Sequence, residues 1–268
     1  MNLNKHFLGY SNTPILWNSN RIEDLDQLML SFIDCDPRRF SIDYGQMRLG
    51  KIIEQFVFIQ LESHQSIQLI AKNLQVIHDK ITLGELDCVF KYLEEYIHLE
   101  IVFKFYLYDD ELGSTEIGNW VGPNQKDSFK FKLEKLKNKQ LPILNHPKTE
   151  EILSGLSIHS KDISSKVLFK AQLFIPKHLD GKVFESINND CIIGYYIGMA
   201  EFNKQNDCEF FMPNKLDWLI EPHIEVQWHT HKAFAPYLEL EINQSRSPLC
   251  WIKKPDGILE KIFIVFWR

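Results

Sequence analysis

The sequence predicts an α/β protein: a central mixed sheet flanked by helices, with a β-rich C-terminal part. Three observations predict it. Residues 46–61 (QMRLGKIIEQFVFIQL) repeat apolar side chains at helical spacing. Residues 82–107 (TLGELDCVFKYLEEYIHLEIVFKFYL) read as two adjacent apolar strands. After about residue 145 the chain becomes a series of short β-like runs separated by Pro, Gly and Asn.

The elements follow in order. The first forty residues read as a helix-bearing lead-in. Within them, 22–34 carries Leu25, Leu28, Leu30 and Phe32 at roughly helical spacing, and Pro37 ends the run. The helix over 46–61 places Leu49, Ile52, Ile53, Phe56 and Val57 on one stripe, with Glu54 beside it. Residues 65–80 suit a strand pair or one long strand. The stretch 109–126 is rich in Gly, Asn and Asp and reads as a loop, closed by Gly122-Pro123-Asn124. A helix over 127–140 starts at Asp127 as a cap and carries Lys130, Lys132, Lys135, Lys137 and Lys139. The expected division is a core over 1–147 and a β-rich region over 148–268. That region either folds alone or packs on the core.

Composition narrows the function classes. Charged residues make up 25% of the chain and the net charge is −6, so no global pull toward polyanions exists and any such site must be a local basic patch. The five cysteines are odd in number and widely spaced, without C-x-x-C, which argues against disulfides and structural zinc. The N-terminus lacks the basic-then-apolar layout of a signal peptide, and no window has ~18 unbroken apolar residues. The expectation is a cytoplasmic protein without a membrane partner.

The chemistry concentrates in the two strands. Side chains alternate across a strand, so Glu85 and Asp87 share one face of the first, and Glu100 and Lys104 share one face of the second. Charges in strands this apolar cost folding energy unless they are paired or hold something. Asp87 and Glu100 are candidate ligands for Mg²⁺ or Mn²⁺, hard cations that take oxygen donors. Glu54, arriving from the helix, completes the shell or acts through a bound water. Lys104 is the candidate that positions water or stabilises charge on a phosphate. The bland alternative is a solvated strand edge with a Glu100–Lys104 ion pair.

The phrases RLGKIIE (48–54), TLGELD (82–87), HLEIVFKFYL (98–107), WVGPN (120–124) and KNKQL (137–141) resemble a bacterial family catalogued as domain of unknown function 1853. The order helix-Glu, strand-Asp, strand-Glu-and-Lys, helix-Gln resembles the PD-(D/E)XK nuclease superfamily, with which that family has been grouped. The resemblance covers about residues 44–145 well and the rest weakly. It implies a PD-(D/E)XK nuclease-like core and metal-dependent hydrolysis of phosphodiester bonds in DNA or RNA. Glu54, Asp87, Glu100 and Lys104 would be the catalytic set. Gln140 would lie near the nucleic acid, with Asn124 and Lys132 as further substrate contacts. One departure stands out. The superfamily writes Glu-x-Lys, whereas here position 102 is Val and the lysine comes at 104. On an ideal strand this stretches the Cα separation from ~7 to ~13 Å. A catalytically inactive module that binds nucleic acid or a protein is therefore the alternative expectation.

Three further features have blander readings. His229 and His231 (WHTH) are expected on one strand face, more as solvent or packing histidines than as metal ligands. Trp120, Trp218, Trp228, Trp251 and Trp267 are core residues by default and base-stacking platforms otherwise. The lysine stripe over 130–139 is either a solvated helix face or a phosphate track.

Overall fold

The computed structural model describes residues 3–18, 21–30, 35–39, 47–113 and 115–268. The chain forms two compact units interleaved along the sequence. The central unit comprises Ile15–Phe103 and Phe131–Lys170; the terminal unit comprises Met1–Pro14, Lys104–Lys130 and Ala171–Arg268. The chain thus passes between the units at four points in the sequence.

Elements are numbered in chain order. Helix α1 (Leu3–Asn12) is followed by the two-residue strands β1 (Arg21–Ile22) and β2 (Leu25–Asp26). This corrects the helix expected over 22–34. Glu23 and Asp24 adopt positive φ (47° and 67°) and turn the chain. The backbone then bonds outward: the Leu28 N–H donates to the Val167 carbonyl (2.7 Å). Leu25 and Leu28 are buried without helical neighbours to share the stripe. Pro37 opens a 3-10 turn, Pro37–Arg39. Residues 31–34 lie outside the described residues.

Helix α2 (Leu49–Ser63) forms where its stripe was expected, and Ile52, Ile53, Phe56 and Val57 are all buried. Full burial of each such side chain contributes about 1.5–3 kcal/mol. Strands β3 (Ile67–His78), β4 (Ile81–Tyr92) and β5 (Glu95–Tyr108) follow as an antiparallel succession. Residues 65–80 therefore form one long strand rather than two. β3 and β4 pair along their whole length, but the β4–β5 ladder runs only from Tyr92–Glu95 to Cys88–Leu99.

The stretch expected as a loop holds a two-residue strand, β6 (Trp120–Val121), paired with Leu107–Tyr108 of β5. The expected helix over 127–140 is shorter and changes pitch. Helix α3 (Phe129–Lys135) passes into a π turn (Leu136–Gln140) and a 3-10 turn (Leu141–Asn145) that contains Pro142. Helix α4 (Pro147–Ser154) comes next. In the central unit, Leu86 and Val89 of β4 pack with Leu144, Leu153, Ile158 and Ile163.

The remaining elements are β7 (Ile163–Pro176), β8 (Ile192–Gly198), α5 (Met199–Phe202), β9 (Glu209–Phe211), β10 (His229–Thr230), α6 (His231–Asn243), β11 (Leu249–Lys253) and β12 (Leu259–Val265). In the terminal unit, β7–β8 and β8–β12 pair parallel, while β12–β11, β11–β9 and β9–β10 pair antiparallel. The sheet is mixed, as expected for the α/β class. α5 and α6 cover it through Phe202, Phe234 and Leu238, which pack on Phe210, Ile252 and Ile264. The run HIEVQWHT yields only the two residues of β10, and α6 was not foreseen. Among the described residues, no helix is long and apolar enough to cross a membrane.

Candidate functional site

Five elements of the central unit converge on one charged cluster. α2 contributes Lys51 and Glu54, which share a helix face at i, i+3 spacing. β3 contributes Asn73, at positive φ (49°) in mid-strand, a conformation Asn tolerates better than most residues. β4 contributes Glu85 and Asp87, and β5 contributes His98 and Glu100, each pair on one strand face by alternation. The π turn contributes Gln140.

Its hydrogen bonds form two sets. In the outer set, Lys51 Nζ donates to Glu54 Oε2 (2.7 Å) and Glu85 Oε1 (3.0 Å). The Asn73 amide, with its nitrogen toward the carboxylates, donates to Glu54 Oε2 (3.0 Å) and Glu85 Oε1 (3.1 Å). In the inner set Glu100 is fully buried, as is His98. Glu100 Oε1 lies 3.2 Å from His98 Nε2, and Glu100 Oε2 accepts from Gln140 Nε2 (2.5 Å). Lys132 Nζ in turn donates to Gln140 Oε1 (2.6 Å). Both Glu100 oxygens are therefore engaged, and the Gln140 amide is used at both ends.

Asp87 sits where the β4–β5 ladder stops. Its Oδ2 accepts the Ile101 N–H (2.8 Å), a donor the ladder leaves without a backbone partner. Burial, then the Glu100 charge, push the Asp87 carboxyl up to about 7; the Ile101 bond only partly offsets them, and Glu54 adds to the rise. Glu54 is also raised, first by burial and then by Glu85 and Glu100, against the pull of Lys51. Burial pulls Lys51 down, but its bonds to Glu54 and Glu85 outweigh that and raise it. Burial is the first cause of both raised carboxyls, and the charges of Glu100 and Glu54 at Asp87, and of Glu85 and Glu100 at Glu54, add to it.

A cavity of about 350 Å³ opens beside this cluster. Its walls include Asp87, Glu85, Gln140 and Lys51, with Lys135, Lys139, Leu83, Gly84 and Ile143. Gly84 packs closely on the same wall: an added Cβ would lie 3.0 Å from Ile143 Cγ1.

Of the sequence-predicted residues, Glu54, Asp87, Glu100 and Gln140 come together here, with Lys132 bonded behind Gln140. Lys104 belongs to the terminal unit, where its Nζ donates to Asp127 Oδ2 (2.6 Å). Gly122 leaves room for that pair: an added Cβ would lie 1.9 Å from Asp127 Oδ1. Asn124 is also in the terminal unit, accepting the Ser247 N–H at Oδ1 (2.8 Å), and Pro123 O accepts from Trp267 Nε1 (3.0 Å). Gly122, Pro123 and Asn124 of the WVGPN phrase thus each have a structural partner. His229 and His231 do not share a strand face. His229 opens β10, while His231 starts α6, stacks on Phe202 at 4.3 Å and bonds its carbonyl (3.1 Å).

Sequence reasoning missed Lys51, Asn73 and His98. Lys51 was detectable as a lysine one helical turn before Glu54; the other two are set by long-range packing.

As to a cation, among the described residues no group of three or more His, Cys, Asp or Glu side chains is arranged to hold a metal. The carboxylates gathered here, Glu54, Glu85, Asp87 and Glu100, are oxygen donors, the type that hard cations take, but no three of them are placed to share one ion.

No curated protein and no solved structure matches this chain. A family model described as "Domain of unknown function (DUF1853)" matches residues 17–265. That span takes in both units almost whole, and the chain belongs to the DUF1853 family.

Proposed function

We propose that the central unit carries a phosphodiester hydrolase site, a nuclease acting on DNA or RNA with Mg²⁺ or Mn²⁺. The observation that supports this most is the convergence of Glu54, Asp87 and Glu100 from three elements beside a lysine-rimmed cavity. Asp87 and Glu100 would be the side chains that hold the ion, with Glu54 acting through a bound water, and the ion's chemistry would be to polarise the phosphate and make water a better nucleophile. The Ile101 N–H, bonded to Asp87 Oδ2, fixes the orientation of that carboxylate. The Lys51 ammonium stabilises charge building up on the phosphate, the role first assigned to Lys104. Lys135 and Lys139 hold the flanking phosphates, and Gln140 fixes Glu100 through their 2.5 Å bond. Metal-dependent cleavage of labelled DNA or RNA that Asp87→Ala abolishes is the expected result.

A second reading has its own observation. Lys104 is committed to Asp127, and Lys51 already neutralises Glu54 and Glu85, which suits a nuclease-like scaffold that binds nucleic acid or a protein without cutting. Thermal melting with Mn²⁺ separates the two. A metal site raises the melting temperature and Asp87→Ala removes the rise; a site without metal gives none.

A further inference from the structure

β3 and β4 continue past the end of the β4–β5 ladder as a two-stranded ribbon. Asp79 and Lys80, at φ 47° and 66°, close it in a two-residue turn. Directly paired residues share a face of a ribbon. The pairs here are Ile77 with Thr82 and His78 with Ile81, so the two isoleucines lie on opposite faces. Ile77 is 44% exposed and Ile81 65%. A ribbon packed on one layer keeps apolar residues on one side and polar residues on the other. This tip instead presents one exposed isoleucine on each face, Ile77 beside Thr82 and Ile81 beside His78, a pattern suited to insertion between two apolar surfaces.

What flanks the tip indicates what those surfaces are. Leu83, 41% exposed and set apart by the register shift between Val76 and Ile77, lines the cavity together with Asp87, Lys135 and Lys139. Among the described residues, Lys80, Lys135 and Lys139 form no salt bridge, so three cations stand ready for an external polyanion.

We propose that the ribbon tip is a nucleic-acid wedge: Ile77 and Ile81 insert against exposed base faces while Lys80, Lys135 and Lys139 hold the adjacent phosphates. Apolar side chains of this kind unstack base steps, and every base offers a face for such contact. The proposal rests on reading the cavity as a phosphodiester site.

The test uses the full chain carrying Asp87→Asn in EDTA, so that binding is read without cleavage. The probe is a duplex with one 2-aminopurine, which brightens on unstacking. The expected result is brightening on binding. Adding Ile77→Thr and Ile81→Thr removes it and weakens anisotropy-measured affinity by about tenfold or more. Thr keeps the β-branch that strands favour, so the melting temperature stays close to the parent's. Ile77→Val with Ile81→Val retains both effects. Equal affinity and brightness in the Thr variant would overturn the wedge, and so would an absence of any binding. Loss of a sedimentation-detected dimer in the Thr variant, with nucleic-acid binding intact, would also overturn it, by assigning the tip to a second copy. Cleavage by the Asp87-intact chain is scored separately. Cleavage that survives the Thr substitutions unchanged sinks the wedge alone, and binding without cleavage sinks the hydrolase reading alone.

Discussion

Glu100 and Lys104 leave the same strand four residues apart, yet they are built into opposite kinds of charge environment. Glu100 is fully buried in the central unit, bonded to Gln140 and His98, and its charge helps raise the carboxyls of Asp87 and Glu54. Lys104 sits in the terminal unit, about a third exposed, matched one-to-one with Asp127. A balanced, half-exposed pair is what structure needs and contributes little, about 1 kcal/mol or less. An unbalanced buried cluster costs stability and is kept where chemistry uses it. The difference teaches that charge imbalance beside a cavity marks the candidate site better than the family-like spacing of Glu and Lys.

The comparison can be broken at its largest effect first. Asp87→Asn should lower cleavage by about 100-fold or more, since it removes a charged oxygen donor from the ion. Lys104→Met should leave cleavage within about threefold. Equal losses in the two variants, in a side-by-side rate assay, would erase the distinction.

Lys51→Met comes next. Loss of its ammonium should reduce cleavage by about tenfold or more, because the charge it supplies beside the carboxylates has no other source at 2.7–3.0 Å. A rate like that of Lys104→Met would return the lysine role to neither residue.

A third effect is on stability and depends on pH. In the folded chain Asp87 holds its proton up to about pH 7, but in the unfolded chain only to about pH 4. Its stabilising contribution is thus fully present below about pH 4 and is lost as pH rises through 7. Asn cannot ionise and still accepts the Ile101 N–H. Asp87→Asn should therefore melt a few degrees above the parent at pH 8, with the gap narrowing as pH falls and closing by about pH 4. A gap that is flat with pH would deny the buried repulsion.

The smallest expected effect lies in the terminal unit. Gly122→Ala should push the Asp127 carboxylate off Lys104 and cost about 1 kcal/mol in denaturant unfolding, with cleavage unchanged. A larger cost would show that the pair matters more than its exposure implies.

Much of the central unit was legible in the sequence. The stripe of α2 and the apolar runs of β4 and β5 are strong local patterns, and the alternation on those strands placed Asp87 and Glu100 on the site face. The segment 22–34 misled because Leu25 and Leu28 fit a helix as well as a buried strand, and only the Val167 carbonyl decides between them. Lys104 misled because its partner, Asp127, is 23 residues away and reads as a helix cap. The interleaving of the units could not be read, since it depends on β5 and β7 each running through both.

The most direct measurement is cleavage of labelled single- and double-stranded DNA and RNA by the purified chain in Mn²⁺, in Mg²⁺ and in EDTA, with Asp87→Asn in parallel. Expected is metal-dependent cleavage of at least one substrate, absent in EDTA and lost in the variant. Cleavage that Asp87→Asn leaves intact, or no cleavage of any substrate, would contradict a hydrolase site at Asp87.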